Sequence, residues 1–116
     1  MSNQQIFETA KQYIPGGVNS PVRSFNSVGG TPFFTSKAKE CYLYDSEGNE
    51  YIDYVCSWGA NIVGHANPIV IEKVSSALHN GFSYGTPTEL EVKFAKQICE
   101  LLPSIEKFRA VSSGTE

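Results

Sequence analysis

The chain has 116 residues, 41% hydrophobic, 12% aromatic and 18% charged, with 9 Lys+Arg against 12 Asp+Glu for a net charge of −3. That balance fits an ordinary globular chain of at most one domain and excludes a disordered or low-complexity one. Mild acidity without a Lys/Arg run argues against nucleic-acid and anionic-membrane partners, no apolar stretch approaches the ~20 residues of a bilayer span, and the polar start Ser2-Asn3-Gln4-Gln5 is no secretory leader, so a cytoplasmic location is expected.

Ser2 opens the first predicted helix. Gln5 stands three residues on as its capping-box partner, and Ile6, Phe7, Ala10, Tyr13 and Ile14 share one face until Pro15-Gly16-Gly17 ends the pattern. A loop rich in Gly, Pro, Ser and Asn follows as far as Thr31-Pro32. Three short aromatic and β-branched runs come next: Phe33-Phe34-Thr35, Cys41-Tyr42-Leu43-Tyr44 and Tyr51-Ile52-Asp53-Tyr54-Val55. With the turn-rich segment 45–50 between the last two, they predict a small antiparallel meander.

Asn67-Pro68 reads as an N-cap followed by proline at the first helical position, with Val70, Val74, Ala77 and Leu78 at helical spacing before Asn80-Gly81. A third helix is predicted from Thr86 as cap, Pro87 as first residue and Glu89 closing a capping box. Its stripe is Leu90, Phe94, Ile98 and Leu101, and Pro103 ends it. Lys107 to Val111 then read as a strand entering Ser112-Ser113-Gly114-Thr115-Glu116. A strand running into such a turn is how an α/β unit begins a helix, so the chain is expected to be part of something larger.

Few residues suggest chemistry on their own. Cys41, Cys56 and Cys99 are widely spaced without Cys-x-x-Cys or zinc-ligand spacing, and read as free, mostly buried thiols. Ser113, Gly114 and Thr115 would present backbone N–H groups at a helix start, an anion site if they are more than a plain loop. Arg23, in a loop stiffened by Pro and Gly, suits a bidentate grip on a carboxylate with Ser20 adding a hydroxyl; a solvated arginine is the alternative. Trp58 is either the aromatic wall of a pocket or a core anchor beside the meander. His65 reads as a structural histidine in a turn, since no second His or carboxylate stands at ligand spacing, and His79 as a late-helix residue. Glu89 and Glu91 read as first-turn helix residues rather than an acid/base pair, and no metal site is expected.

Read together, several blocks resemble the glutamate-1-semialdehyde 2,1-aminomutases, a branch of the class-III pyridoxal-phosphate aminotransferases. They are Pro15-Gly16-Gly17-Val18-Asn19-Ser20-Pro21-Val22-Arg23, Tyr42 to Asp45, Gly48 to Tyr54, Ser57-Trp58-Gly59, Gly64 to Pro68, Gly85 to Glu91 and Ser112 to Glu116. The Tyr-Asp…Gly-Asn…Tyr-Ile-Asp and Gly-His-x-x-Pro blocks are common to the wider superfamily, whereas the first block and Pro87-Thr88-Glu89-Leu90-Glu91 are closer to the aminomutases. The resemblance implies an α/β, fold-type I enzyme: residues 1–58 as N-terminal helix, loop and meander, and 59–116 as the beginning of the large cofactor-binding domain.

It also implies a cytoplasmic homodimer that uses pyridoxal and pyridoxamine phosphate to turn glutamate-1-semialdehyde into 5-aminolevulinate in tetrapyrrole synthesis. Ser20, Arg23 and Trp58 then resemble the substrate site, and Ser113, Gly114 and Thr115 the cofactor-phosphate loop. The family's Schiff-base lysine matches none of the seven lysines present, so these 116 residues alone are expected to be inactive and poorly stable. Two alternatives remain: another class-III aminotransferase acting on an ω-amino acid or amino ketone, and a small non-catalytic binding module.

Overall fold

Ser2 starts the first helix because its hydroxyl accepts the Gln5 N–H at 3.2 Å while Gln5 Oε1 accepts the Ser2 N–H at 2.9 Å. The resulting helix, α1, spans Asn3–Tyr13. Gly16 and Gly17 then turn the chain with φ of 70° and 74°. A Cβ built on Gly17 would lie 2.6 Å from Phe7 Cε2, so only glycine lets the returning backbone lie against the helix. Ile6, Phe7, Ala10 and Ile14 are half-buried on that side. Tyr13, expected there too, is 80% exposed, because it lies about half a turn round the helix from Lys11, which with Phe7 meets the returning chain.

The computed structural model describes residues 1–114, and the chain divides into two compact units, one Met1–Ser76 and the other beginning at Ala77. The first unit holds the expected meander: β1 (Thr35–Lys39), β2 (Tyr42–Asp45) and β3 (Glu50–Ile52), antiparallel in the order β1-β2-β3. Lys39 faces Tyr42, and Tyr42 in turn faces Ile52. β1 begins later than the apolar run suggests, because Asn3 Oδ1 takes the Phe34 N–H at 2.7 Å before the ladder can. β3 ends before Tyr54 and Val55 because the Asp53 carboxylate captures the Val55 and Cys56 amides and turns the chain away. Aromatic contacts tie the long loop to the sheet: Phe33 stacks on Tyr51 with centroids 4.7 Å apart, Phe25 meets Phe33 edge-on at 6.3 Å, and Phe7 lies 6.4 Å from Phe34.

Asp45 is the largest fully buried side chain among the described residues. Its Oδ1 accepts the Glu47 and Asn49 N–H groups at 2.9 and 2.8 Å. Its Oδ2 accepts Asn49 Nδ2, Asn3 Nδ2 and the Tyr51 hydroxyl at 2.9, 2.9 and 3.1 Å. Burial by itself would raise this carboxyl, but the side-chain donors of Asn49 and Asn3 and the two amides outweigh it and hold the group well below its ordinary value of 3.8.

Helix α2, Pro68–Leu78, starts where expected, with Asn67 Oδ1 accepting the Ile69 and Val70 N–H groups at 3.0 and 3.3 Å. In the second unit α3, Glu89–Leu101, starts two residues later than the sequence suggests: Thr88, not Thr86, is the cap, and Glu91, not Glu89, closes the box. The reciprocal bonds form there: Glu91 Oε2 accepts the Thr88 N–H at 3.0 Å and Thr88 Oγ1 accepts the Glu91 N–H at 3.3 Å. Lys107–Val111 are not a strand, since a strand is defined by pairing and no other strand lies among the described residues of this unit. Phe108 packs edge-on against Phe94 at 5.2 Å instead.

The helical stripes are present but uncovered: Val70, Val74 and Leu78 on α2 and Leu90, Phe94 and Leu101 on α3 are all exposed. Among the described residues no hydrophobic side chain is fully buried. The cysteines follow suit. All three are free, but Cys41 and Cys56 are exposed and Cys99 half-buried, a correction to the expected buried thiols, because no buried apolar cluster forms among the described residues to take them.

Two outcomes follow from this packing. Expressed as these 116 residues alone, the chain should bind apolar dyes and lose structure gradually on heating; a cooperative, reversible calorimetric transition would contradict this. Within the longer protein expected from the sequence, the contribution of Asp45 should be complete above about pH 4 and vanish as pH falls through its lowered folded-state value. Asp45→Asn should speed amide exchange at Glu47 and Asn49 roughly tenfold or more at neutral pH and flatten that acid dependence.

Candidate active site

Asp53 and His65 form a part-buried polar pair in the first unit. His65 Nε2 lies 2.6 Å from Asp53 Oδ2, with side chains only 17% and 5% exposed. The His65 hydrogen bond, then the Cys56 amide, hold the Asp53 carboxyl below its ordinary value, with the Val55 amide adding to them against burial. The backbone sets the histidine: His65 and Glu40 exchange N–H···O bonds of 2.7 and 2.8 Å. A Cβ on Gly64 (φ 80°) would stand 3.0 Å from the Glu40 carbonyl oxygen, so this approach needs glycine. Sequence spacing missed the pair because its members lie 12 residues apart on either side of a loop, although both sit in the blocks that carry the resemblance.

The same carboxylate holds the next turn. Asp53 Oδ1 accepts the Val55 and Cys56 N–H groups at 2.9 and 3.0 Å. Beyond it Cys56, Ser57 and Trp58 are all left-handed, with φ of 50°, 52° and 60°. Each such non-glycine residue costs about 1 kcal/mol, so three in succession persist only where the surroundings over-determine them. Here the Trp58 N–H bonds to Val55 O at 3.0 Å and the Asn61 N–H to Cys56 O at 3.0 Å. Trp58 is 70% exposed among the described residues. Between this turn and the first half of α2 lies a hollow of about 570 Å³, lined by Ser57, Asn61, His65, Val70, Ile71 and Val74.

Ser20 and Arg23 lie in the loop after α1. Ser20 precedes a short 3₁₀ turn, Pro21–Ser24, and its carbonyl accepts the Arg23 N–H at 2.9 Å. Arg23 is exposed, makes no ion pair among the described residues, and lines a hollow of about 300 Å³ with Ile14, Gly17 and Phe33. A guanidinium so placed offers its fork of donors to a planar anion. Ser113 and Gly114 lie in the second unit, both exposed, at the end of the extended segment after α3; Thr115 falls outside the described residues. Glu89 and Glu91 are first-turn residues of α3, as expected. No group of three or more His, Cys, Asp or Glu able to hold a metal occurs among the described residues, and no helix there is long and apolar enough to cross a membrane.

Comparison with known proteins places this arrangement. The chain superimposes on a β-phenylalanine aminotransferase from Variovorax paradoxus with a TM-score of 0.87 and 29% identity, over 97% of this chain and 26% of that one. A transaminase solved with pyridoxal phosphate bound gives 0.84 and 30%, over 97% and 26%. A glutamate-1-semialdehyde aminomutase from Pseudomonas aeruginosa PAO1 gives 0.74 and 18%, over 84% and 21%. The chain thus spans about a quarter of the length of these proteins. Its α/β architecture of helices and a small antiparallel sheet is that of the N-terminal part of fold-type I pyridoxal-phosphate transferases. With the model of the class-III aminotransferases matching residues 25–116 as well, the chain belongs to the class-III aminotransferases, whose cofactor is pyridoxal phosphate.

Proposed function

We propose that the intact protein is a glutamate-1-semialdehyde 2,1-aminomutase, moving an amino group within one substrate to form 5-aminolevulinate, and that it works as a cytoplasmic homodimer. The observation that carries this reading is the Ser20–Arg23 turn: an exposed arginine without an ion-pair partner among the described residues, beside a hollow, in the block closest to the aminomutases. On this reading the Arg23 guanidinium grips the substrate carboxylate in two parallel hydrogen bonds and the Ser20 hydroxyl adds a third donor. Trp58 forms an apolar wall that orients the carbon chain and keeps water from it.

Residues 59–116 begin the cofactor-binding domain. Ser113, Gly114 and Thr115 fit a phosphate by their chemistry, with hydroxyl and amide donors on small residues. A Cβ at Gly114 would have no atom within 4 Å, so the backbone there can be approached closely. The cofactor, when bound, supplies the electron sink for the bonds at the amine-bearing carbon. The lysine that holds it is not among the lysines of this chain, on the same resemblance.

A second reading has its own support. The 29% and 30% identities to a β-phenylalanine aminotransferase and a transaminase exceed the 18% to an aminomutase, which favours transfer between two substrates, one a β- or ω-amino acid. The two readings differ in stoichiometry. An aminomutase forms 5-aminolevulinate from glutamate-1-semialdehyde with no separate amino acceptor, whereas product that appears only with an added acceptor would establish the transaminase. In the intact enzyme, Arg23→Ala should raise KM for the semialdehyde about 100-fold and leave kcat within a few-fold, the loss expected of a charge-assisted bidentate pair.

A further inference from the structure

We infer that Asp53, clamped by His65, is a positioning residue for substrate binding: it holds the left-handed Cys56–Trp58 turn in place and so fixes the Trp58 ring. The inference deepens the reading of Trp58 as a wall of the substrate site and rests on it. The two carboxylate oxygens of Asp53 divide the task. Oδ1 accepts the Val55 and Cys56 amides at 2.9 and 3.0 Å, the two donors at which the chain leaves β3 and enters the strained turn. Oδ2 is fixed by His65 Nε2 at 2.6 Å. The Asp53 backbone contributes as well, its N–H bonded to Cys41 O at 2.8 Å and its carbonyl receiving the Cys56 thiol at 3.5 Å.

His65 in turn is anchored by its paired backbone bonds to Glu40, so the clamp runs from the β1–β2 turn through His65 and Asp53 to the tryptophan. Once those amides are released, the three successive non-glycine residues with positive φ keep only the backbone bonds of the turn itself, Trp58 N–H to Val55 O and Asn61 N–H to Cys56 O, against their conformational cost. Trp58 has little packing to restrain it otherwise, being 70% exposed. Loss of the clamp should therefore loosen the indole before it disturbs anything else.

The test is a double-mutant cycle in the cofactor-loaded enzyme with Asp53→Ala, Trp58→Ala and the double variant. Substrate affinity is read from the absorbance change when an amino substrate converts bound cofactor, a half-reaction common to the pyridoxal-phosphate aminotransferases, and pyridoxal-phosphate affinity is read separately. Asp53→Ala is expected to weaken substrate about tenfold with cofactor affinity within about twofold, and to add less than about twofold when Trp58 is already alanine. Fully additive losses, or an equal loss of cofactor affinity, would overturn the inference and leave the Trp58 reading intact. A Trp58→Ala enzyme with unchanged substrate affinity would remove both.

Should Asp53→Ala fail to fold, the comparison moves to the histidine. His65→Gln retains a donor for Oδ2 and should stay close to the parent enzyme, while His65→Ala should reproduce the tenfold weakening; equal losses in the two would overturn the inference.

Discussion

The first unit depends on one buried carboxylate. A meander of three strands, the longest of five residues, cannot hold a helix and a long loop by apolar burial, and among the described residues no hydrophobic side chain is fully buried. Asp45 replaces that missing core with directed bonds. It closes the β2–β3 turn on its own side, receives Tyr51 from β3, and reaches Asn3 at the start of α1. Asn3 passes the connection on by accepting the Phe34 and Ser46 donors, at 2.7 and 3.0 Å. A carboxylate so satisfied loses little by burial, which is why its ionised form persists to low pH.

Asp53 repeats the device eight residues later for a different end. Where the turn closed by Asp45 places a glycine, Gly48, at its positive φ, Asp53 stabilises one with three left-handed non-glycine residues in a row. The two carboxylates stand at the two ends of the β2–β3 hairpin, one at its turn and one where β3 leaves the sheet. The meander is therefore a frame whose ends are fastened by polar side chains, and the residues proposed for the substrate site sit on loops next to it. Arg23 follows the same logic. Its 3₁₀ turn is joined to the sheet through the Phe25, Phe33 and Tyr51 rings rather than by backbone pairing.

The second unit is organised by its sequence alone to a greater degree. Thr88 and Glu91 start α3, and the edge-on contact of Phe94 with Phe108 fixes the segment that follows. The apolar faces of α2 and α3 carry the spacing of covered helices while remaining exposed. That contrast agrees with a chain spanning about a quarter of the proteins it resembles.

Local chemistry was legible in the residues themselves. Ser2 with Gln5 and Asn67 with Pro68 place helix starts because capping needs only neighbours within a turn. The meander follows from β-branched and aromatic runs around a turn, and the family from blocks whose order survives along the chain. What the residues could not announce is whatever depends on distant partners. The start of β1 was decided by Asn3, 31 residues before Phe34, and the fate of Lys107–Val111 by the absence of a strand to pair with among the described residues of its unit. His65 looked solitary because its carboxylate lies 12 residues back, and the exposure of Trp58 depends on a strained backbone that no side-chain pattern encodes. Capping and periodicity act over one or two turns of chain and are written in sequence; burial, strain and ion pairing are set by which segments meet in space, and only the tertiary structure decided those.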